Sequence, residues 1–261
     1  MPMLTLKKSL GQHFLKDESV SQRIVQALQE RPFRRLLEIG PGGGALTKYL
    51  LKIPSIDLKC IEIDTEKAAY LLQTYPALRD RIIVADILRA EMPFGQPFTV
   101  VGNFPYNISS QIVFRLLEWR QWIEGMTGMF QKEVAQRLAA REGSKIYGVT
   151  SVLLQAFFSV EYLFEVDETA FLPPPKVKSA VIRLVPLQHP PAISDPRALS
   201  VLVKTAFSQR RKTLRNAVKP LFPAEILKEE LFNKRAEELS VADFTALTFR
   251  MNRYNGTEDD R

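Results

Sequence analysis

Residues 103–106, Asn-Phe-Pro-Tyr, place a side-chain amide, two aromatic rings and a rigid proline after an apolar run. An amino group on an aromatic base is a poor nucleophile because its lone pair is delocalised into the ring. Two hydrogen-bond acceptors, one for each N–H, would pull the amine toward tetrahedral geometry and free that lone pair. The Asn103 side-chain oxygen and a backbone carbonyl of residues 104–105 suit this role, so the pattern predicts methylation of an amine on a base.

The other residues of this motif would hold the base in place. Pro105 stiffens the segment and biases Phe104 toward an extended conformation, which aims its carbonyl outward. Tyr106 offers a flat face on which a base can stack, and such stacking is worth about 1–3 kcal/mol per base. The alternative is a strand that ends in a turn, with Tyr106 merely covering the core.

A glycine-rich turn, "EIGPGGGALT" at 38–47, follows the first apolar run. Its glycines, Gly40 among them, let the chain turn sharply and let a ligand approach the backbone at the start of a helix. Glu62 and Asp64 end the second run, where an acid can accept hydrogen bonds from ribose hydroxyls. Asp86 ends the third run and could meet the amino group of an adenine. The alternative is a glycine-rich turn without a ligand.

These features fit both NAD and S-adenosylmethionine, because both contain adenosine. Glu38, two residues before Gly40, distinguishes between these two cofactors. A carboxylate there is a poor neighbour for a pyrophosphate but tolerates a ligand that carries an amine and a sulfonium. The sequence also lacks an evident set of hydride-transfer residues. We therefore expect S-adenosylmethionine.

Strands and helices must alternate to position these residues. Short apolar runs lie at 34–39, 58–63, 81–85, 98–102 and 126–130. Helical periodicity lies between them at 44–52, 65–74 and 109–119. A helical stretch at 131–156 and two further strands, 158–166 and 179–185, follow. The alternation predicts an α/β, Rossmann-like parallel sheet.

The chain is predicted to divide at a proline-rich linker, 186–196. Residues 1–186 would form the Rossmann-like domain. Residues 192–252 would form a small helical domain, and the polar tail 253–261 is expected to be disordered.

The segment 200–219 of the helical domain contains basic residues and no acid. These residues are Lys204, Arg210, Arg211, Lys212, Arg215 and Lys219. A charge run is usually a solvated helix face. Here the lack of compensating acids, in a chain with many glutamates elsewhere, favours a surface that faces phosphates.

The bulk composition sets looser limits on function. The 261 residues are 46% hydrophobic and 25% charged, an ordinary globular balance, and the net charge of +7 favours an anionic partner only weakly. Cys60 is the single cysteine and is expected to be a core residue, which suits a reducing cytoplasm. No apolar run is long enough to span a bilayer, and the first residues lack the features of a signal peptide. We expect a cytoplasmic protein.

Over nearly its whole length the chain resembles the KsgA-type adenine dimethyltransferases of small-subunit ribosomal RNA, whose cousins methylate large-subunit RNA and give erythromycin resistance. The widely shared motifs are "EIGPGGGALT" (38–47), "IEID" (61–64), "AD" (85–86) and "GNFPYNISS" (102–110). The more specific ones are "KKSLGQHFL" (7–15), "QKEVAQRL" (131–138), "FLPPPKVKSAVIRL" (171–184) and "AFSQRRKTLRN" (206–216).

This resemblance implies transfer of methyl groups from S-adenosylmethionine to N6 of two adjacent adenines in small-subunit ribosomal RNA, twice each. The implied partner is a pre-ribosomal small subunit, and the implied enzyme is a monomer that needs no metal and no membrane. The implied cofactor site consists of Gln12, His13, Leu15, Gly40, Glu62, Asp86 and Asn103. The resemblance also implies that the N-terminal segment of the first domain, which contains Gln12, closes over the cofactor. The implied catalytic group is Asn103, Phe104, Pro105, Tyr106 and Phe171.

Three of these residues have alternative interpretations. Phe171 matches an aromatic residue that would sandwich the target base opposite Tyr106, but it could instead pack beneath the "PPPK" loop. His13 could be a surface or capping histidine. Phe104 departs from the leucine that is most often associated with this motif, although the acceptor role belongs to backbone atoms.

Other functions also stay open at this point. A ribosome-assembly factor could bind precursor RNA without catalysis, although the intact Asn103 and Tyr106 argue against this. An NAD-dependent oxidoreductase is the second alternative. Methylation of large-subunit RNA or of DNA is the third.

Overall fold

The computed structural model describes residues 13–251. Its strands, in chain order, are β1 (Phe14–Leu15), β2 (Arg35–Ile39), β3 (Asp57–Glu62), β4 (Ile82–Val84), β5 (Phe98–Asn103), β6 (Ile123–Gln131), β7 (Phe158–Val166), β8 (Phe171–Leu172) and β9 (Ser179–Pro186). Its α-helices are α1 (Glu18–Gln29), α2 (Thr47–Leu50), α3 (Thr65–Thr74), α4 (Ser109–Glu118), α5 (Lys132–Ala139), α6 (Val149–Gln155), α7 (Pro196–Ser208), α8 (Leu214–Ala217) and α9 (Val241–Leu247).

Seven strands form one sheet in the order β4–β3–β2–β5–β6–β9–β7. The pairings among β4, β3, β2, β5 and β6 are parallel, and β9 pairs antiparallel to β6. The carboxyl ends of parallel strands meet at one edge of a sheet, where ligands bind in such folds. The predicted α/β, Rossmann-like fold is therefore confirmed.

Two short strands outside this sheet bring distant parts of the chain together. In β1 and β8, Phe14 pairs with Leu172 and Leu15 pairs with Phe171, in antiparallel register. The segment before α1 is thus fixed to the segment before β9. Each strand contains only two residues, too few for a periodic pattern in the sequence to reveal.

Capping residues fix where the helices near the sheet begin. The Asp17 side chain accepts a hydrogen bond from the Ser19 N–H at the start of α1. The Asp64 side chain accepts one from the Glu66 N–H, 3.1 Å away, at the start of α3. A carboxylate at this position satisfies a backbone donor that the helix leaves unpaired. Asp64 therefore acts as a cap of α3, and Glu62 is left as the acid at the end of β3.

Several helical stretches are more broken than their periodicity predicts. The stretch 131–156 forms two helices, α5 and α6, with a loop between them. Beyond α7, much of the remaining structure consists of short 3₁₀ turns. Pro220 and Pro223 cannot donate backbone hydrogen bonds, so a continuous helix is not possible there. No helix within 13–251 has the length and apolarity needed to cross a bilayer.

The described residues divide into two compact units. One contains the chain up to Gln136 together with Ser159–Pro186, and the other contains Arg137–Phe158 together with the chain from Leu187 onward. The predicted domains differ from these units because they assign 137–158 to the first domain. Those residues make their contacts within the second unit. The Tyr147 and Phe207 rings lie 6.0 Å apart, and the Gly143 N–H donates a hydrogen bond to the Glu237 carbonyl. The predicted tail, 253–261, lies outside the described residues.

Candidate active site

One cavity of about 200 Å³ opens at the carboxyl ends of β2, β3 and β5. It brings together most of the residues singled out in the sequence. Those that line it are His13, Leu15, Gly40, Glu62, Asp86, Asn103, Phe104, Pro105 and Tyr106. Gln12 lies outside the described residues.

The glycine turn forms one wall of this cavity. Gly40, Gly42 and Gly44 have φ angles of 66°, 56° and 83°, a region that side-chain-bearing residues rarely adopt. The Gly40 N–H donates to the Ile61 carbonyl, and the Gly42 N–H donates to Glu62 Oε2 at 3.0 Å. The turn is thereby fixed to the end of β3, so its backbone faces the cavity in a defined shape.

Glu62 is held in place through both of its carboxylate oxygens. Oε2 accepts from Gly42, and Oε1 accepts from the Asp64 N–H at 3.0 Å. The residue is only 4% exposed, yet it lines the cavity. Each carboxylate oxygen can accept more than one hydrogen bond, so Glu62 can still accept from a ligand hydroxyl.

Glu38 lies deeper in the same wall and is 1% exposed. Thr47 Oγ1 donates to its Oε2 at 2.7 Å, and the Cys60 thiol lies 3.7 Å from the same oxygen. Burial raises the pKa of Glu38 to about 7, although the Thr47 hydrogen bond works in the opposite direction. A cationic group in the cavity would favour the charged carboxylate.

The same cavity also offers a further acceptor and an apolar surface. Asp86 Oδ1 accepts from the Leu88 N–H at 2.9 Å, which orients the carboxylate within its loop. Ile63 is 51% exposed although it is aliphatic, and it lines the cavity beside Glu62. An exposed apolar side chain of this kind suits the face of a flat ring. Ile63 was not identified from the sequence, where its only signal is that it is an aliphatic residue directly after Glu62 at the end of a strand.

The segment at β1 covers one side of the cavity. His13 Nδ1 donates to the Pro173 carbonyl at 2.9 Å, and the His13 carbonyl accepts from Asn103 Nδ2 at 3.4 Å. The Phe14 ring lies near the glycine turn, with the Lys67 ammonium 4.9 Å from its centre. Phe14 and the buried Lys67 were not identified from the sequence, where they look like ordinary core and surface residues.

The Asn103–Tyr106 motif lies where β5 leaves the sheet. The Phe104 N–H donates to the Met129 carbonyl at 3.1 Å, and Pro105, which has no N–H, follows. The Tyr106 hydroxyl shares a 2.6 Å hydrogen bond with Ser179 Oγ, and burial raises the pKa of Tyr106. The rings of Tyr106 and His13 are stacked, with centroids 5.4 Å apart. The ring of Tyr106 is therefore held at its hydroxyl end and on one face.

Phe171 is the predicted catalytic residue that the cavity does not include. Its ring is 1% exposed and belongs to the same hydrophobic cluster as Leu15 and Val181. Pairing of β8 with β1 turns it into the core while the neighbouring Leu172 faces outward. The structure thus departs from the sandwich expected opposite Tyr106 and corresponds to the packing alternative.

The basic segment 200–219 separates into two groups. Lys204, Arg211 and Lys212 are exposed. Arg210 instead bonds to Glu237 at 2.5 Å and to the Lys145 carbonyl. Arg215 donates to the Leu227 carbonyl at 2.7 Å and to Asn233 at 2.8 Å. The latter two arginines hold the second unit together, which a charge run in the sequence cannot reveal.

Comparisons with known proteins agree with this geometry. A model of the family described as ribosomal RNA adenine dimethylase matches residues 3–252. The chain is 50% identical over 252 residues to the ribosomal RNA small subunit methyltransferase A of Flavobacterium johnsoniae. This alignment covers 95% of this chain and 96% of that protein.

Two solved structures have the same fold over most of their length. A dimethyladenosine transferase from Plasmodium falciparum has a TM-score of 0.78 and 25% identity, with 92% of this chain and 99% of that one covered. The 23S rRNA methyltransferase ErmE has a TM-score of 0.67 and 27% identity, with 89% of this chain and 99% of that one covered. The fold is thus shared with enzymes that methylate RNA.

Proposed function

This chain belongs to the ribosomal RNA adenine dimethylase family, and we propose that its substrate is the RNA of a small ribosomal subunit during assembly. The chain is a ribosomal RNA adenine methyltransferase that uses S-adenosylmethionine. In this proposal it dimethylates N6 of two adjacent adenosines in small-subunit RNA. The observation that carries the assignment of the site is that Asn103 and Tyr106 line the same cavity as Glu62 and Asp86.

The hydrogen-bond acceptors and the apolar surface of the cavity fit S-adenosylmethionine. Glu62 would accept from the ribose hydroxyls, Asp86 from the adenine amino group, and Ile63 would pack against the adenine ring. The buried Glu38 suits a ligand that carries positive charge and no phosphate. When bound, the cofactor supplies a methyl group on a positively charged sulfur.

Asn103 is assigned to activation of the target amine. Its amide nitrogen donates to the His13 carbonyl, which leaves the side-chain oxygen as an acceptor for an N–H of adenine. A backbone carbonyl of residues 104–105 would accept the second N–H. The two bonds localise the lone pair on nitrogen, and the proton that becomes acidic upon methylation can pass to water. Tyr106 would stack on the base, a contact worth about 1–3 kcal/mol.

Selection of the RNA is assigned to the second unit. The exposed Lys204, Arg211 and Lys212 would contact phosphates, which position an RNA without reading its bases. We assign the protein to the cytoplasm, in keeping with its single, buried cysteine. We also propose that it acts as a monomer. Large-subunit RNA is the second candidate substrate, because ErmE, named for 23S rRNA, shares the fold.

Transfer from a labelled cofactor tests this proposal. Small subunits from a strain that lacks the modification are incubated with the protein, with large subunits and duplex DNA in parallel. We expect label only in small-subunit RNA, released on digestion as N6,N6-dimethyladenosine. Label in large subunits would favour the second candidate, and no label in any substrate would favour an assembly factor without catalysis.

A further inference from the structure

The Phe104 side chain occupies a slot between two strands of the sheet. Its ring is 1% exposed and lies at the point where β5 ends, directly between Asn103 and Pro105. The walls of the slot are two glycines, Gly102 in β5 and Gly128 in β6, which are opposite each other in the parallel register. The Phe130 ring closes the slot, with its centroid 4.9 Å from that of Phe104.

The absence of side chains at both glycines is what makes room for the ring. A Cβ atom at Gly128 would lie 2.2 Å from Phe104 Cε2 and 3.0 Å from its Cζ. A Cβ atom at Gly102 would lie 2.6 Å from Phe104 Cε1 on the ring's other edge. Real Cβ atoms essentially never approach a non-bonded atom closer than 3.0 Å, so a larger residue at either position would force the ring to shift.

The ring has little freedom to move aside without carrying the backbone with it. Phe130 blocks one direction, and the N–H of Phe104 is bonded to the Met129 carbonyl. The next residue, Pro105, has a fixed φ angle. A shift of the Phe104 ring would therefore pass directly to the carbonyl of residue 104 and to the side chain of Asn103.

We propose that the facing pair Gly102 and Gly128 forms a positioning element for the amine-activating motif. By setting the depth of the Phe104 ring, the pair sets where the acceptors of Asn103 and of the 104–105 backbone point. This role rests on the function proposed above for Asn103. Gly128 and Phe104 act as a matched pair, in which the absence of a side chain at one position permits an aromatic ring at the other.

Gly128 is the better position for a test. The atoms that a new methyl group would meet there are side-chain atoms, those of Phe104 and the flexible sulfur of Met126 at 2.7 Å. At Gly102 the methyl group would also meet the Ile39 backbone carbonyl at 2.8 Å, which no second substitution could relieve. Gly125 in the same strand is a matched control, because its methyl group would meet nothing nearer than 3.5 Å.

The experiment is a double-variant cycle with Gly128→Ala, Phe104→Leu and the two combined. Single-turnover methyl transfer to unmodified small subunits is measured at saturating cofactor, together with cofactor affinity and the thermal unfolding temperature. We expect Gly128→Ala to slow transfer at least tenfold with little change in cofactor affinity. The double variant should transfer within threefold of Phe104→Leu alone, and Gly125→Ala within twofold of wild type.

A wild-type rate for folded Gly128→Ala would overturn the inference. So would a double variant that is slower than Phe104→Leu by the same factor by which Gly128→Ala is slower than wild type. If Gly128→Ala does not fold, the inference requires that the double variant does fold. The unfolding temperature of the double variant should then be close to that of Phe104→Leu. If the wild-type protein transfers no methyl group, the proposed function fails. The pairing of the two residues is then still judged by whether their effects on the unfolding temperature compensate.

Discussion

At the scale of single residues, Glu62 shows how a carboxylate can be placed before any ligand binds. Backbone N–H groups of Gly42 and Asp64 hold its two oxygens. Glu62→Gln keeps the shape but puts an NH₂ group against one of these donors, and it removes the charge from the ribose contact. We expect it to weaken S-adenosylmethionine binding by about 1.5–3 kcal/mol, the range for a charged hydrogen bond. Calorimetry measures this directly.

Asp57→Asn is the matched control for this change. Asp57 is an exposed acid at the opposite end of the same strand, β3. Its loss should leave cofactor affinity unchanged. An affinity of folded Glu62→Gln equal to that of wild type would remove Glu62 from the cofactor site.

Glu38 should make stability depend on pH. Burial raises its pKa to about 7 from the ordinary value of 4.5, so between these values the folded state holds a proton that the unfolded state has lost. Stability relative to Glu38→Gln, which cannot ionise, should therefore fall as pH rises from 4.5 to 7, by a total of about 3 kcal/mol. Above pH 7 the difference should be constant. Denaturant unfolding of both proteins from pH 4.5 to 8 measures it, and a flat difference would contradict a buried carboxyl with raised pKa.

At the scale of elements, the basic segment contains exposed cations, which we propose contact RNA, and cations that hold the second unit together. We expect the combined change of Lys204, Arg211 and Lys212 to Ala to weaken binding to small subunits and to flatten its salt dependence. Each lost phosphate contact should reduce the slope of log affinity against log salt by about 0.7–0.9. Cofactor affinity should not change. Binding titrations at several salt concentrations measure the slope.

Arg215→Ala is the contrasting variant, because Arg215 bonds to the Leu227 carbonyl and to Asn233. Arg215→Ala should lower the unfolding temperature clearly and should leave the slope of log affinity against log salt close to that of wild type. If the folded triple variant keeps the wild-type slope, the exposed cations are only a solvated surface, and RNA selection resides elsewhere.

The elements show where sequence reasoning succeeds and where it fails. The predicted helix 65–74 agrees with α3, and the run 98–102 with β5, because both carry a strong local pattern. The pairing of β1 with β8 was not predictable, since it joins residues more than 150 positions apart through two-residue strands. The burial of Phe171 follows from that pairing. Local patterns predict elements, but long-range pairing decides which side of a strand reaches a cavity.

At the scale of the whole molecule, the two units have separate tasks in this account. The cavity residues belong to the first unit, and the exposed cations Lys204, Arg211 and Lys212 belong to the second. That Glu62, Asp86 and Asn103 line one cavity was predictable, because each stands at or just after the end of a recognisable strand. The extent of the second unit was not, because residues 137–158 join it through packing that no linker in the sequence marks.

The most direct test of the central claim is to map the modified nucleotides of small-subunit RNA after one treatment with wild type and one with Asn103→Ala. Mass spectrometry of unmodified subunits incubated with saturating cofactor supplies the map. We expect wild type to place two methyl groups on N6 of each of two adjacent adenines. Asn103→Ala should place almost none, while calorimetry should show that it still binds cofactor and titration that it still binds subunits. Two results would contradict the account. One is methylation by folded Asn103→Ala at the wild-type rate, and the other is a methyl group placed by the wild-type protein on any atom other than adenine N6.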